Sequence, residues 1–271
     1  MMGIVNINDD SFCRDGSIDP DWALKHCKEL VELGADIIDL GAESARTNRA
    51  PIPEEEEVRR LLPVVKGFSE LEKLARRRAS EQVFPPILSI NTWRSGVIQE
   101  VLPHGGDIIN DMSGLPDATN AAICAKFGCS LLIMHSVGAP KEKHTHVRYD
   151  DIVTSVREFF EKKILLAMST GLTGSQIILD PGIDFAKPAS DNLRLIRELS
   201  SLTSLGHPVL LPVSRKSTIR KVTGATNPLD RDPGTASLMV AGVQRGAAIL
   251  RLHNVDLGWR IRETLSQFAA H

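Results

Sequence analysis

The feature that most constrains this chain is a set of eight short apolar runs, at 3–7, 36–41, 87–92, 107–111, 130–135, 176–181, 208–214 and 248–254. They are rich in Ile, Val and Leu and show no strict apolar–polar alternation. Strands of that kind are buried on both faces, as in a parallel sheet. Amphipathic stretches separate them, with helical periodicity at 21–33, 54–67, 151–169 and 191–202. Alternating βα units predict an α/β fold. Eight of them within 271 residues predict a closed TIM (β/α)8 barrel, a single domain over 1–271, rather than an open sheet. The G-x-G-x-x-G turn of a dinucleotide fold does not follow the first run. One insert, at 71–86, breaks the rhythm; its basic run of Arg76, Arg77 and Arg78 reads as a solvated helix end.

Composition removes several function classes. A formal net charge of -2 gives no electrostatic pull toward nucleic acid or an anionic membrane surface. No apolar run approaches a membrane span, and the opening M-M-G-I-V-N reads as a buried strand rather than a signal peptide. Cys13, Cys27, Cys124 and Cys129 form no C-x-x-C pair. The expectation is reduced thiols in a cytoplasmic protein, with no metal at Cys124 and Cys129.

In such barrels the chemistry sits at the C-terminal mouth, on strand ends and the loops after them. The runs end at, or lead into, Asn6, Glu43 with Arg46, Asn91, Asn110 with Asp111, His135, Asp180, Ser214 with Lys216, and Arg251 with His253. Any one of these could be a strand-end cap. Capping does not demand a polar group at every strand end, so the set points to a binding site. It suits a flat heterocycle with donors and acceptors on its edge, together with an anionic group. A carboxylate such as Asp180 can accept two parallel hydrogen bonds from an amino-pyrimidinone edge. Lys216 can donate to a ring carbonyl and a ring nitrogen, while Arg251 and His253, two residues apart on one strand face, can hold phosphate oxygens.

Six motifs on these runs resemble those of the dihydropteroate synthase family, in that family's order and across the whole chain. They are M-G-I-V-N-I-N-D-D-S-F at 2–12, G-A-D-I-I-D-L-G-A-E-S-A-R at 34–46, N-D-M-S-G at 110–114, D-P-G-I-D-F at 180–185, S-R-K-S at 214–217 and R-L-H-N at 251–254. The resemblance implies condensation of a hydroxymethyl-dihydropterin diphosphate with 4-aminobenzoate, releasing pyrophosphate. It implies that Asn91, Asn110, Asp180 and Lys216 bind the pterin. Asn6, Arg46, Arg251 and His253 would lie around the diphosphate, with Mg²⁺ close to Asn6. Arg46 and Ser217 would meet the aminobenzoate, and Asp180, Lys216 and Arg251 would carry the catalytic work. A homodimer is implied as well. Bond breaking would lead bond making, so that stabilising a cationic pterin methylene is the mouth's electrostatic task, and the metal would neutralise the leaving group.

The chain departs from the family at several points. Asn91-Thr92 stands where the family has Asp-Thr, which keeps an acceptor oxygen and loses a charge. A lost charge-assisted hydrogen bond costs roughly 1.5–3 kcal/mol. If that charge limits turnover, Asn91→Asp should speed the enzyme; if the site has adapted to a neutral residue, it should slow it. The first loop reads Cys13, Arg14, Asp15, Gly16, and the second Ser44, Ala45, Arg46, Thr47, Asn48, without the family's threonine and Pro-Gly turn. His144 and His146 read as rim contacts, and Asp184, where the family has glycine, as a surface residue. Two other functions fit the barrel: a methyltetrahydrofolate methyltransferase, which would not need S-R-K-S or R-L-H, and a non-catalytic pterin-binding paralogue.

Overall fold

All eight runs form strands in the computed structural model, which describes residues 1–8, 16–44, 50–71, 85–142 and 147–269. The strands are β1 (Met2–Asn6), β2 (Ile37–Gly41), β3 (Ile87–Asn91), β4 (Ile108–Asp111), β5 (Ser130–Met134), β6 (Ile177–Asp180), β7 (Leu210–Leu211) and β8 (Ile249–Leu252). They are parallel and lie in the order β6-β5-β4-β3-β2-β1-β8-β7. The bridge Leu179↔Val209 closes the ring between β6 and β7, helped by the Leu179 N–H donating to the Pro208 carbonyl at 2.9 Å. β7 is shorter than its apolar run because Pro208 and Pro212, at either side, have no N–H to give to a ladder.

Helices cover the outside: α1 (Pro20–Glu32), α2 (Glu54–Phe68), α3 (Ser95–Val101), α4 (Thr119–Phe127), α5 (Ile152–Met168), α6 (Ala189–Arg197), α7 (Ser200–Thr203), α8 (Ser217–Thr223), α9 (Asp232–Val243) and α10 (Val255–Ala269). Local chemistry sets several of their ends. Asp19 caps α1 by accepting from the Asp21 N–H, and Asp151 caps α5 by accepting from the Thr154 N–H. The helix expected over 191–202 is two pieces, broken between Arg197 and Ser200.

Alternation along each strand divides its side chains between two cores. Outward residues pack under the helices in the larger cluster, with Val5, Ile38, Leu40, Ile90, Ile109, Leu131, Ile133 and Leu179 among them. Inward residues fill the barrel floor: Met2, Ile37, Ile108, Leu132, Ile178 and Leu210, with Ile249 against them. Two residues further along, the inward position turns polar on five strands, at Asp39, Ser89, Asn110, Asp180 and Arg251, and stays apolar at Ile4, Met134 and Pro212. That change, from an apolar plug to polar side chains one layer up, creates the site.

Candidate functional site

The polar layer opens into a cavity of about 340 Å³ at the C-terminal ends of the strands. Asn6, Asn91, Asn110 and Asp180 line it from the strands, and Lys216, Ser217, Arg251 and His253 complete it from β8 and the β7–α8 turn. Each site residue selected from the sequence is therefore in one place, save Arg46, which lies outside the described residues. The same is true of Arg14, Asp15, Ala45, Thr47, Asn48, His144 and His146.

Two strand-end residues do not reach the cavity. His135 follows inward-facing Met134, so alternation turns it out into the helical layer. There it is buried, with its ring edge-on to Phe159 at 4.8 Å and tilted to Tyr149 at 6.1 Å. Burial, reinforced by the nearby Lys187 charge, holds its imidazole neutral, with a pKa of about 3. Asp111 follows Asn110 and also points outward. Its carboxylate is bound by Ser113 and by Asn120 at 3.0 Å, and organises the β4–α4 loop.

The sequence reading missed the centre of the floor. Asp39, fully buried in the middle of β2, accepts hydrogen bonds from four neighbours. Ser89 Oγ donates at 2.7 Å, Asn91 Nδ2 at 3.1 Å, Asn110 Nδ2 at 3.1 and 3.2 Å, and Arg251 Nε at 2.7 Å. Asn91 is thus a donor to a carboxylate already present. The signal for Asp39 was strand parity: it lies two residues from Ile37 and two from Gly41, on the inner face.

Asp180 is placed differently. Its Oδ1 accepts from the Gly182 N–H at 2.7 Å across the D-P-G turn. Gly182 sits at φ 66 with the His135 carbonyl only 2.1 Å from where a Cβ would be, so only glycine fits that turn. Burial raises the Asp180 carboxyl to about 6, against the opposing pull of the Gly182 N–H, Lys216, Arg251 and Lys187. Lys187, itself buried, ties the β6–α6 loop by donating to the carbonyls of Gly182 at 3.0 Å and Phe185 at 3.1 Å. Burial lowers its pKa to about 7.

Across the cavity from β6, the S-R-K-S turn is held from behind. Arg215 adopts φ 55 and grips Asp232 through two hydrogen bonds, 2.7 and 2.9 Å. This left-handed residue lets Ser214 and Lys216, on either side of it, both line the cavity. The Lys216 ammonium lies 4.9 Å from the centre of the Phe185 ring. At the rim, Glu43 pairs with Arg94 and Lys141, each at 2.7 Å, and Lys141 also donates to the Ala50 carbonyl. The loop after β5 is thereby tied to the segment that follows loop two.

Asp184, expected at the surface, also faces the cavity. Its carboxylate accepts from the Ser217 N–H at 2.5 Å, from the Thr218 N–H at 3.2 Å and from Thr218 Oγ1 at 2.5 Å. No local signal marked it, because its partners on α8 lie more than thirty residues along the chain.

One acceptor in the cavity is left over. Asn110 Oδ1 is buried and has no hydrogen-bond partner among the described residues. A buried unsatisfied oxygen costs roughly 1–3 kcal/mol. Lining the same cavity as Asp180, it calls for a ligand N–H.

Comparison with known proteins agrees with this chemistry. A family profile described as pterin binding enzyme matches residues 2–253. The dihydropteroate synthase of Bacillus subtilis is 35% identical over 257 residues, covering 94% of this chain and 83% of the relative. Among solved structures, the dihydropteroate synthase of Clostridium difficile in the presence of pteroic acid superimposes with a TM-score of 0.83 at 33% identity, covering 98% of this chain and 95% of that one. The Thermus thermophilus enzyme in complex with 4-aminobenzoate gives a TM-score of 0.82 at 36% identity, covering 99% and 93%.

Proposed function

This chain belongs to the pterin-binding enzymes and, among them, to the dihydropteroate synthases, and we propose that its mouth joins a hydroxymethyl-dihydropterin diphosphate to 4-aminobenzoate with release of pyrophosphate. The observation that carries this reading is the pair of buried acceptors, Asn110 Oδ1 and the Asp180 carboxylate, that line one cavity. An amino-pyrimidinone edge presents the N–H groups that both require. Binding such a donor edge favours the ionised form of Asp180 and draws its pKa down. Lys216, near the Phe185 ring, would donate to ring acceptors.

The diphosphate end falls to Arg251, His253 and Asn6. Arg251 gives its Nε to Asp39, so its terminal nitrogens are the ones to meet phosphate oxygens, on a side chain already aimed by a buried partner. As the carbon–oxygen bond of the pterin methylene lengthens, negative charge grows on the leaving diphosphate beside this cation. Positive charge grows on the methylene, above a floor that holds Asp39 and Asp180. A preorganised field of that sense stabilises both developing charges. The amine nitrogen then attacks the methylene, and its surplus proton leaves to solvent or to the departing phosphate.

Mg²⁺ fits the donor set. Asn6 offers a carboxamide oxygen at the end of β1, and an ion bound chiefly by diphosphate oxygens and waters needs few protein ligands. Among the described residues no group of three or more His, Cys, Asp or Glu is arranged for a metal. When bound, it would neutralise leaving-group charge. We further propose a cytoplasmic homodimer; Val222 in α8 and Val243 in α9 carry exposed apolar side chains, and no described helix is long and apolar enough to cross a membrane.

The deciding experiment is pyrophosphate release from purified protein given the pterin diphosphate, 4-aminobenzoate and Mg²⁺. Release that depends on the amine supports the synthase. Tight pterin binding with no release from any arylamine removes it in favour of a non-catalytic pterin-binding protein.

A further inference from the structure

We propose that Asp184 loosens the selectivity of the second-substrate end of the cavity for a carboxylate, so that arylamines with an uncharged para group are taken alongside 4-aminobenzoate. The proposal rests on the synthase reading above, in which Ser217 meets the arylamine substrate. Among the described residues, the N–H groups of Ser217 and Thr218 are backbone donors at that end of the wall, at the start of α8. Both already serve the Asp184 carboxylate, Ser217 at 2.5 Å and Thr218 at 3.2 Å, and the Thr218 hydroxyl donates to it as well, at 2.5 Å.

Asp184 is also held from behind. Asn192, fully buried, donates from Nδ2 to Asp184 Oδ1 at 3.1 Å and accepts the Asp184 N–H on its own Oδ1 at 3.0 Å. The same Nδ2 donates to Thr218 Oγ1 at 2.9 Å. The chain reaches this place through a left-handed residue, φ 70 at Asp184 itself, a backbone conformation that glycine adopts freely and aspartate tolerates. A side chain fixed by four donors on two elements does not move aside cheaply.

A para-carboxylate arriving next to Ser217 therefore meets a carboxylate where it needs hydrogen-bond donors. Two like charges at contact distance in a partly dry cavity repel strongly. An arylamine with an uncharged group in the same position meets no such repulsion, and an amide can donate an N–H to Asp184. In this reading the residue would face the second substrate and no reacting atom, so its effect should be on choice of amine and not on the pterin.

The test compares two ligands that differ only in that charge. Pteroic acid and its carboxamide, pteroamide, share the pterin and the arylamine, and calorimetry reads both without turnover. The wild-type protein should bind the amide at least as tightly as the acid. Asp184→Gly, which suits the left-handed backbone and frees both N–H groups, should move the ratio toward the acid by about tenfold or more. Asp184→Asn keeps an acceptor on α8 and removes the charge, and should move the ratio the same way by less. It keeps the test alive if the glycine variant does not fold.

A purely structural cap would weaken both ligands together and leave the ratio within about twofold, which would overturn the proposal. 6-Hydroxymethylpterin separates the two levels. If it binds and the ratio stays put, only the role of Asp184 fails. If neither it nor the pteroic compounds bind, the synthase reading fails and takes this proposal with it.

Discussion

The β2 side and the β6 side of the mouth each hold a buried aspartate on an inward strand position, and the two are surrounded in opposite ways. Asp39 accepts from a serine, two carboxamides and a guanidinium. Among the described residues the Asp180 carboxylate accepts one hydrogen bond, from the Gly182 N–H, and burial raises its pKa to about 6. A carboxylate that is fully hydrogen-bonded within the protein is part of the scaffold, and one with an oxygen still to be satisfied is part of a binding surface. The difference divides the cavity into a wall that aims side chains and a wall that receives a ligand.

The largest effect should come from breaking the satisfied side. Asp39→Ala would leave Arg251 without its counter-charge and two carboxamides without an acceptor. Removing one partner of a buried pair costs about 3–5 kcal/mol. The denaturant midpoint should fall accordingly, and diphosphate recognition should fail along with it because Arg251 loses its aim. A variant within about 1 kcal/mol of the parent would show that the hub does not hold the floor.

Asp180→Asn should do the reverse. The fold should survive, while affinity for 6-hydroxymethylpterin drops by one to two powers of ten, the loss of a charge-assisted hydrogen bond worth roughly 1.5–3 kcal/mol. The pH dependence follows from the raised pKa. The folded state holds the Asp180 proton more tightly than the unfolded chain does, so ionising it destabilises the fold. The penalty grows as pH rises from the ordinary 3.8 to about 6 and is complete above that. Asp180→Asn should therefore be more stable than the parent at pH 7.5, by up to roughly 3 kcal/mol, and no more stable at pH 3.5. Thermal melts at the two pH values check the sign. Binding in the parent should weaken roughly tenfold per pH unit below about 6, since the ligand edge needs the ionised acceptor. Affinity that stays flat from pH 5 to 8 would take Asp180 out of the pterin edge.

Asn91→Asp makes the smallest change and sharpens the comparison most. It would put a second carboxylate against Asp39 and turn a donor into a repelling neighbour. One of the two would then hold its proton. Turnover should fall, by about tenfold if roughly 1.4 kcal/mol of transition-state stabilisation is lost, and the melting temperature should fall with it. A faster enzyme in steady-state kinetics would mean that charge, and not the Asp39 hub, limits the reaction.

Much of this is legible in the sequence. Eight apolar runs with helical stretches between them leave few folds other than the barrel, and the barrel dictates where strand ends meet. Asn6, Asn91, Asn110, Asp180, Lys216, Ser217, Arg251 and His253 accordingly line one cavity. Strand parity could have gone further. It places Asp39 inward, and it turns Asp111 and His135 outward, one step past Asn110 and Met134. Choosing the polar residue nearest each strand end ignored that rule and misplaced two of them.

The sequence by itself determined the period-two division of each strand, because alternation is a local property of extended backbone. It also allowed the left-handed turn at Gly182, because glycine takes that conformation without strain. Only the tertiary structure decided which polar groups would satisfy one another. Asp39 meets Arg251, 212 positions away, and Asp184 meets the N-terminus of α8, 33 positions away. Hydrogen bonding depends on contact in space and leaves no period in the chain. The same aspartate side chain is a scaffold at one place, a ligand seat at another and a rival to the ligand at a third.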